Sequence, residues 1–346
     1  MPPLHHTFGQ TTIAKINNPK ELKKILVSPN LQSDTIIIKP NWVTDEPADY
    51  IEADTLRIIF EALDSKIIVT ESHSARIHGE DINFQIDGKK VNWRWLLDGD
   101  GWRWLTENPG WDWFKEKHWA KLKSEDKKFQ DEKGFTDLFS EFNVDYVNVT
   151  DEVWSGRTLD PSEIKKHVES RFQPVDNEEM YSMIPEKLYD HQGSTFISLS
   201  KLKVYASFTI KNMFGMIPDP VRPWWHGKNN IKLSTSIIDI NKIYHSLYKM
   251  HGICEALITS AKPNPSGKHQ GLYSGRYTLL DGGGFISFSD NLVELDSLLL
   301  YLTRESRTQN TKVNIKPVED AETVFGSFNK ELLTEVKEKV LHWIPT

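Results

Sequence analysis

The apolar and polar residues near the start of the chain alternate in blocks that predict a strand, a helix and a second strand. Thr35–Lys39 begins with four β-branched residues in a row, which is typical of a buried strand. Ala53–Leu63 has apolar residues at helical spacing, and Lys66–Thr70 is again short, apolar and β-branched. This order of elements indicates a βαβ unit within a parallel sheet.

The rest of the chain continues the mixture of helices and strands. The predicted helices are Gly134–Phe142, Pro161–Arg171, Thr235–Tyr248, Asn291–Thr303 and Asn329–Trp343. The predicted strands are Val144–Thr150, Ser194–Leu199 and Val204–Ile210, with Tyr277–Phe288 as two strand-like pieces around a tight turn at Asp281–Gly284. Gly252–Ser260 is a further apolar element that is not assigned to helix or strand. We therefore expect one α/β domain over residues 1–346, with a mainly parallel sheet flanked by helices.

One segment interrupts this pattern. The chain has 12 tryptophans, and seven of them lie between Trp93 and Trp119. We predict that residues 86–133 form a Trp-rich insertion lobe packed on the core domain. The indoles are interpreted as the local core of this lobe, and the alternative is an exposed stacking or partner surface.

Composition narrows the class of protein. The 346 residues carry a net charge of −7, which argues against general nucleic-acid binding. A single cysteine, Cys254, excludes a disulfide framework within the chain and any cysteine cluster, so no intrinsic iron–sulfur cluster is expected. No secretory signal is visible and no apolar run is long enough to cross a bilayer. The sequence thus predicts a soluble protein of a reducing cytoplasm, without membrane contact.

The ends of the first two predicted strands carry polar groups. Lys39 and Asn41 follow the first strand, and Glu71, Ser72 and His73 follow the second. Ligands of parallel sheets bind beyond the carboxyl ends of the strands, so these groups are candidates for one site. Lys39 and Asn41 would bind a carboxylate or phosphate, whereas Glu71 or His73 would act as acid or base. The alternatives are a lysine that reaches past its strand to water and serines that cap the next element.

A second basic segment lies in the middle of the chain. Lys201, Lys203, Lys211 and Asn212 interrupt an apolar run, and lysines in such runs need an anion or acidic side chains to neutralise them. We interpret Lys201, Lys211 and Asn212 as substrate-binding residues. Lys203 is a candidate catalytic residue, because a buried lysine with a depressed pKa can serve as base or nucleophile. Ion pairs with some of the 49 acidic residues are the alternative.

The loop that follows combines aromatic and basic residues. Arg222 would grip an anion, Trp224 and Trp225 would exclude water, and His226 is a second candidate for acid–base catalysis. The alternative is a packed loop whose indoles fill a groove. No metal site is predicted, since the histidines lack the spacing of known metal-binding motifs.

These motifs together carry a resemblance. The chain resembles the family known as domain of unknown function 362 at the following segments: Lys39-Pro40-Asn41, Glu71-Ser72, Lys201-Leu202-Lys203, Lys211-Asn212-Met213-Phe214-Gly215, Asp239 and Asp290–Asp296. The resemblance implies an α/β fold and enzymatic activity without a defined reaction. Many members carry a ferredoxin-like module with Cys-x-x-Cys clusters, which this chain lacks, and many have Asp-Gly where this chain has His251-Gly252.

Three hypotheses of function follow from the sequence. The first is an enzyme acting on an anionic small molecule that is bound between the lysines and asparagines. The second is a binding protein for an anionic metabolite or cofactor, without turnover. The third is a scaffold that uses the Trp-rich lobe as a partner surface.

Overall fold

A computed structural model describes residues 3–16, 18–43, 50–72, 84–86, 89–91, 116, 119–203, 208–219, 222–263, 277–305 and 315–343. The strands are β1 His5–Phe8, β2 Thr11–Lys15, β3 Thr35–Pro40, β4 Lys66–Glu71, β5 Phe84–Ile86, β6 Lys89–Val91, β7 Asp145–Asn148, β8 Thr195–Lys203, β9 Lys249–Pro263 and β10 Tyr277–Ser289. The helices are α1 Pro19–Ile25, α2 Ala53–Ala62, α3 Ala120–Glu132, α4 Phe135–Glu141, α5 Val149–Trp154, α6 Pro161–Glu169, α7 Glu186–Tyr189, α8 Thr209–Asn212, α9 Arg222–His226, α10 Leu233–Leu247, α11 Leu292–Glu305, α12 Lys316–Phe325 and α13 Leu332–Val340.

Eight of the strands form one mixed sheet in the order β1-β2-β10-β9-β8-β3-β4-β7. The pairings from β9 through β8, β3 and β4 to β7 are parallel, and those among β1, β2, β10 and β9 are antiparallel. Helices cover both faces of the sheet, so the predicted α/β class with a mainly parallel sheet is confirmed. Parallel strands covered on both faces need long apolar runs, which explains the β-branched sequences of β3 and β4.

The parallel half of the sheet is wound in two directions. From β3 the chain passes through α2 to β4 and then to β7, moving outward on one side of β3. It then returns through α5, α6 and α7 to β8 on the other side of β3, and continues to β9. The order of the strands therefore reverses between β3 and β8. In open α/β sheets the ligand crevice lies at such a reversal, beyond the carboxyl ends of the strands.

Two apolar cores lie on opposite faces of the sheet. Ile37 and Phe196 belong to the first core together with residues of α6, α10 and α11, and Ile36 and Ile197 belong to the second together with residues of α2 and α4. Side chains alternate between faces along a strand. Helices α2 and α4 thus pack on the second face, and α6, α10 and α11 pack on the first.

Two strand predictions are wrong at their ends. Residues 204–207 of the predicted strand Val204–Ile210 lie outside the described residues, and its last two residues, Thr209 and Ile210, begin the one-turn helix α8. Val149 and Thr150 begin α5 instead of ending β7. These four residues include β-branched types that favour strands. Contacts with distant side chains override that preference at α8, as described below.

The predicted turn at Asp281–Gly284 is also wrong. β10 runs without a break from Tyr277 to Ser289 and pairs with β9 on both sides of the three glycines. The pairing shifts its register between Asp281 and Phe285. A bulge, which glycine accommodates readily, therefore replaces the expected turn.

Within the Trp-rich segment 86–133, the structure describes residues 86, 89–91, 116 and 119–133. Trp93 and the five tryptophans that follow it up to Trp113 lie outside the described residues, so the proposed insertion lobe stays a prediction. Helix α3 packs on the main sheet, because Leu122 contributes to the first core and Phe129 to the second. None of the helices within the described part of the chain has the length and apolar content that a bilayer span requires.

Candidate functional site

Lys39 and Glu71 form a buried ion pair at the carboxyl ends of β3 and β4. The Lys39 Nζ lies 2.7 Å from the Glu71 Oε2, and the side chains are only 2% and 1% exposed. Lys39 also donates to the Asn212 Oδ1 at 2.8 Å and to the Pro40 carbonyl at 3.0 Å. Three acceptors match the three N–H groups of an ammonium, so this arrangement accommodates the charged lysine.

Burial is the main influence on the ionisation of this pair. It lowers the pKa of Lys39 and raises the pKa of Glu71, and the charge of each residue opposes the shift of the other. The charge of Arg222 adds to the lowering of the Lys39 pKa and counteracts the raising of the Glu71 pKa. A buried pair of this kind tolerates the loss of one partner poorly, because the remaining charge lacks compensation.

Ser72 and Gly215 close the network on the Glu71 side. The Ser72 hydroxyl donates to the Gly215 carbonyl at 2.5 Å, and the Ser72 amide lies 3.1 Å from the Glu71 Oε1. A Cβ at position 215 would lie 2.6 Å from the Glu71 Oε1 and 2.7 Å from the Lys39 Cε. The backbone therefore passes directly over the ion pair, and only glycine leaves room for it.

Asn212 links the end of β3 to the middle of β8. Its Nδ2 lies 3.0 Å from the Lys39 carbonyl, 3.2 Å from the Leu199 carbonyl and 3.1 Å from the Ser198 hydroxyl. Its Oδ1 accepts from the Lys39 Nζ and, at 3.2 Å, from the Asn41 Nδ2. Asn212 thus ties together the two strands between which the sheet order reverses.

Basic side chains lie on the segment that follows Asn212. Arg222 is buried; its Nε donates to the Ile217 carbonyl at 3.2 Å and its Nη2 lies 3.2 Å from the Asp219 Oδ2. The half-buried His226 lies edge-to-face against Phe214, with ring centroids 4.7 Å apart. The charge of Arg222 acts on both Lys39 and Glu71, so α9 lies near this pair.

His226 is held neutral by its surroundings. Burial and then the charge of Lys211 lower the pKa of His226 to about 4, and the charge of Arg222 acts in the same direction. A hydrogen bond between the His226 Nδ1 and the Asn230 Oδ1, at 3.1 Å, opposes this shift. The structure thus brings Lys39, Asn41, Glu71, Ser72, Lys211, Asn212, Arg222 and His226 into one region at the carboxyl ends of β3, β4 and β8.

Lys201 lies apart from this group. On β8, Lys201 lies two residues after Leu199 and four after Ile197. Residues two apart on a strand share a face, so Lys201 lies with them on the second face of the sheet. Its Nζ contacts the Glu255 Oε1 at 2.5 Å and the Glu52 Oε2 at 2.8 Å. Burial alone would lower the pKa of Lys201, but the charges of the two glutamates outweigh it and raise the pKa. This is the ion-pair alternative considered for the middle lysines, and the substrate-binding role assigned to Lys201 remains a prediction.

Two further candidates lack a described side chain. His73 lies outside the described residues. Lys203 ends β8, where the pairing with β9 shifts its register between Lys201 and Lys203. The catalytic roles assigned to His73 and Lys203 therefore stay predictions.

Sequence reasoning missed the partners of several candidate residues. Asp219 pairs with Arg222, three positions away, and Glu255 and Glu52 neutralise Lys201 outside the region. Asp296 holds the start of α8; it was included in the Asp290–Asp296 segment of the family resemblance, but without a role. The pairing of Lys201 with the two glutamates joins distant parts of the chain, and no local sequence pattern reveals it.

The fold and the site define an α/β protein with a doubly wound sheet and a basic, partly buried region at its switch point. The family model described as domain of unknown function (DUF362) matches residues 36–300. The chain therefore belongs to the DUF362 family. No curated protein and no solved structure matches it.

The matched range contains all of the residues assembled above, from Lys39 to Asp296. Within the described part of the chain, no group of three or more His, Cys, Asp or Glu side chains could hold a metal ion. The side chains that gather at the switch point carry ammonium, guanidinium, amide, imidazole, hydroxyl and carboxylate groups.

Proposed function

We propose that the protein is an enzyme that acts on a small molecule bearing a carboxylate or phosphate, bound at the switch point between β3 and β8. The observation that carries the proposal is the convergence of Lys39, Lys211, Asn212, Arg222 and His226 at this crevice. Three of these residues, Lys39, Lys211 and Arg222, have basic side chains. The switch point of a doubly wound sheet is also the usual place for a ligand.

The residues have different parts in this proposal. All three N–H groups of Lys39 and both carboxylate oxygens of Glu71 already have partners within the network. Lys39 and Glu71 therefore hold the site in shape. Lys211 and Arg222, the latter paired with Asp219, add the positive charge that would attract the anion. With a pKa of about 4 in the free protein, His226 is neutral but only weakly basic at physiological pH. A bound anion would raise this pKa toward neutrality, so His226 is the candidate general base.

A binding protein without turnover is the second candidate. The closed network of Lys39 and Glu71 favours it, since a carboxylate with both oxygens occupied is poorly placed to act as acid or base. Native mass spectrometry of the protein from its own host, with metal analysis, would identify a co-purifying ligand. Recovery of that ligand chemically unchanged after incubation with fresh protein would support binding alone, and its conversion would support catalysis.

Replacing Lys211 or Arg222 with alanine should weaken binding of inorganic phosphate or acetate about tenfold, the equivalent of one charge-assisted contact of ~1.4 kcal/mol. Isothermal titration calorimetry at low ionic strength would measure this loss. Lys166→Ala and Arg157→Ala are matched controls, because both residues form ion pairs at the protein surface. Equal affinity in all four variants, or no binding by the unmodified protein, would contradict the proposal.

Binding of sulfate, whose charge is constant above pH 3, should strengthen as the pH falls. With a pKa of about 4, His226 is neutral in the free protein at pH 7 and at pH 5. A bound anion raises this pKa, so binding takes up a proton and the affinity increases about tenfold from pH 7 to pH 5 if the pKa reaches ~6. NMR titration of the imidazole with and without sulfate would measure the shift.

The control for this titration is a second buried histidine. Burial likewise lowers the pKa of His245 to about 4. His245 lies near the end of α10, away from His226, and stacks on Phe325 of α12. His226→Gln should abolish the pH dependence of sulfate binding, and His245→Gln should preserve it. A dependence that survives in His226→Gln would exclude His226 as the group that takes up the proton.

A further inference from the structure

Helix α8 carries Lys211 and Asn212, yet it has only one turn. A helix of four residues is unstable by itself, because nucleation costs more than its few hydrogen bonds return. Its sequence, Thr-Ile-Lys-Asn, begins with two β-branched residues. The orientation of Lys211 and Asn212 must therefore come from contacts outside the helix.

Asp296 of α11 provides most of these contacts. One carboxylate oxygen accepts from the amides of Phe208 at 2.8 Å and Ile210 at 3.0 Å. The other accepts from the amide of Thr209 at 2.8 Å and from its hydroxyl at 2.6 Å. Four donors converge on one buried side chain, and three consecutive amides are fixed by it.

The carbonyl groups of the same turn are also fixed by side chains. The Ser198 hydroxyl donates to the Thr209 carbonyl at 2.7 Å, and the Asn241 Nδ2 donates to the Ile210 carbonyl at 2.9 Å. A Cβ at position 252 would lie 3.2 Å from the Thr209 Cγ2 and 2.9 Å from the Leu295 side chain. Gly252 therefore lets α8 and α11 approach the sheet together.

The carboxylate of Asp296 is costly where it lies. It is fully buried, and burial raises its pKa to about 6 despite the hydrogen bonds from Thr209, Ile210 and Phe208. A buried charge held only by neutral donors suggests that exact placement of the turn matters more than its stability.

We propose that Asp296 is a positioning residue of the anion site: it fixes the backbone from which Lys211 and Asn212 reach the crevice. This inference rests on the proposed function for the role of Lys211, but the geometry of the turn can be tested without any ligand. The ligand-free reporter is His226, whose pKa responds to the nearby charge of Lys211.

The test compares Asp296→Asn with Glu294→Gln. Glu294 lies on the same helix, is also buried, and accepts from the Gln10 amide at 2.7 Å and the Thr11 hydroxyl at 2.8 Å, at the β1–β2 turn. Both variants lose a buried carboxylate that caps a backbone turn. Thermal unfolding would establish a temperature at which both are folded.

In Asp296→Asn the turn should shift and Lys211 should move away from His226. The pKa of His226, measured by NMR, should then rise from about 4 toward its ordinary value of 6.5. Removing the negative charge of Asp296 would by itself act in the opposite direction, so a rise reports movement of the turn. Affinity for inorganic phosphate should fall about tenfold, again the equivalent of ~1.4 kcal/mol. Glu294→Gln should change neither quantity.

Each outcome has a separate meaning. An unchanged pKa of His226 in folded Asp296→Asn, or an equal change in both variants, would overturn the positioning role. Failure of the unmodified protein to bind phosphate would instead contradict the proposed function and leave the pKa test standing. If Asp296→Asn does not fold, Thr209→Val removes one of the four bonds with little change in shape. A His226 pKa that rises there supports the inference, and one that does not move overturns it.

Discussion

Replacing Lys39 with methionine should lower the free energy of unfolding at pH 7 by about 3–5 kcal/mol, the usual cost of breaking a buried ion pair. The aliphatic chain of methionine fills most of the space, so the loss would come from Glu71, which remains buried without its ammonium. The deficit should grow as the pH rises above about 4.5, because the unpaired Glu71 is costly only when ionised. Chemical denaturation at several pH values would measure it.

Two controls separate this effect from simple loss of contacts. Lys39→Met combined with Glu71→Gln removes both charges and should recover part of the lost stability, so the double variant should be more stable than Lys39→Met alone. Lys66→Met breaks the exposed pair between Lys66 and Asp145 on the neighbouring strands and should cost less than ~1 kcal/mol. A Lys39→Met protein as stable as Lys66→Met would show that the Lys39–Glu71 pair contributes nothing net.

Gly215→Ala should destabilise the protein by about 3 kcal/mol, since the added methyl group overpacks the site and displaces a buried ion pair. The new Cβ would lie 2.6 Å from the Glu71 Oε1 and 2.7 Å from the Lys39 Cε, and both side chains are buried. The displaced glutamate would also lose its contact with Ser72. Thermal and chemical denaturation would measure the change.

Gly193→Ala is the matched control for this variant. Gly193 has a φ of +78°, and a Cβ there would meet nothing within 4 Å. Its replacement should cost only backbone strain, about 1–2 kcal/mol. If Gly215→Ala proved no more harmful than Gly193→Ala, the close approach of residue 215 to the ion pair would be without consequence.

The elements and the place of the site could be predicted from the sequence because they depend on local patterns. The β-branched run of Thr35–Lys39 and the helical spacing of Ala53–Leu63 predicted β3 and α2 closely. The polar residues at the ends of β3 and β4 predicted where the Lys39–Glu71 pair lies. A strand end is a local property, and parallel strands bring such ends together.

The partners within the site could not be predicted in the same way. Lys201 and Glu255 meet because β8 and β9 pair in one register, and that register depends on the whole sheet. Helix α8 was mistaken for strand because Thr209 and Ile210 favour strands locally. Asp296, 87 residues away from Thr209, supplies the contacts that override this preference.

The wide spacing of the groups around Asn212 has a consequence for how the protein folds. Lys39 and Asn212 are separated by 173 positions, and the bond from Ser72 to Gly215 spans 143. Loops of this length must close before any of these contacts forms, and their closure is a slow, late event. The network around Asn212 therefore cannot be assembled by any one segment during synthesis. Its formation requires β3, β4, β8 and α8 to have come together, so a probe of this network would report on long-range folding of the sheet.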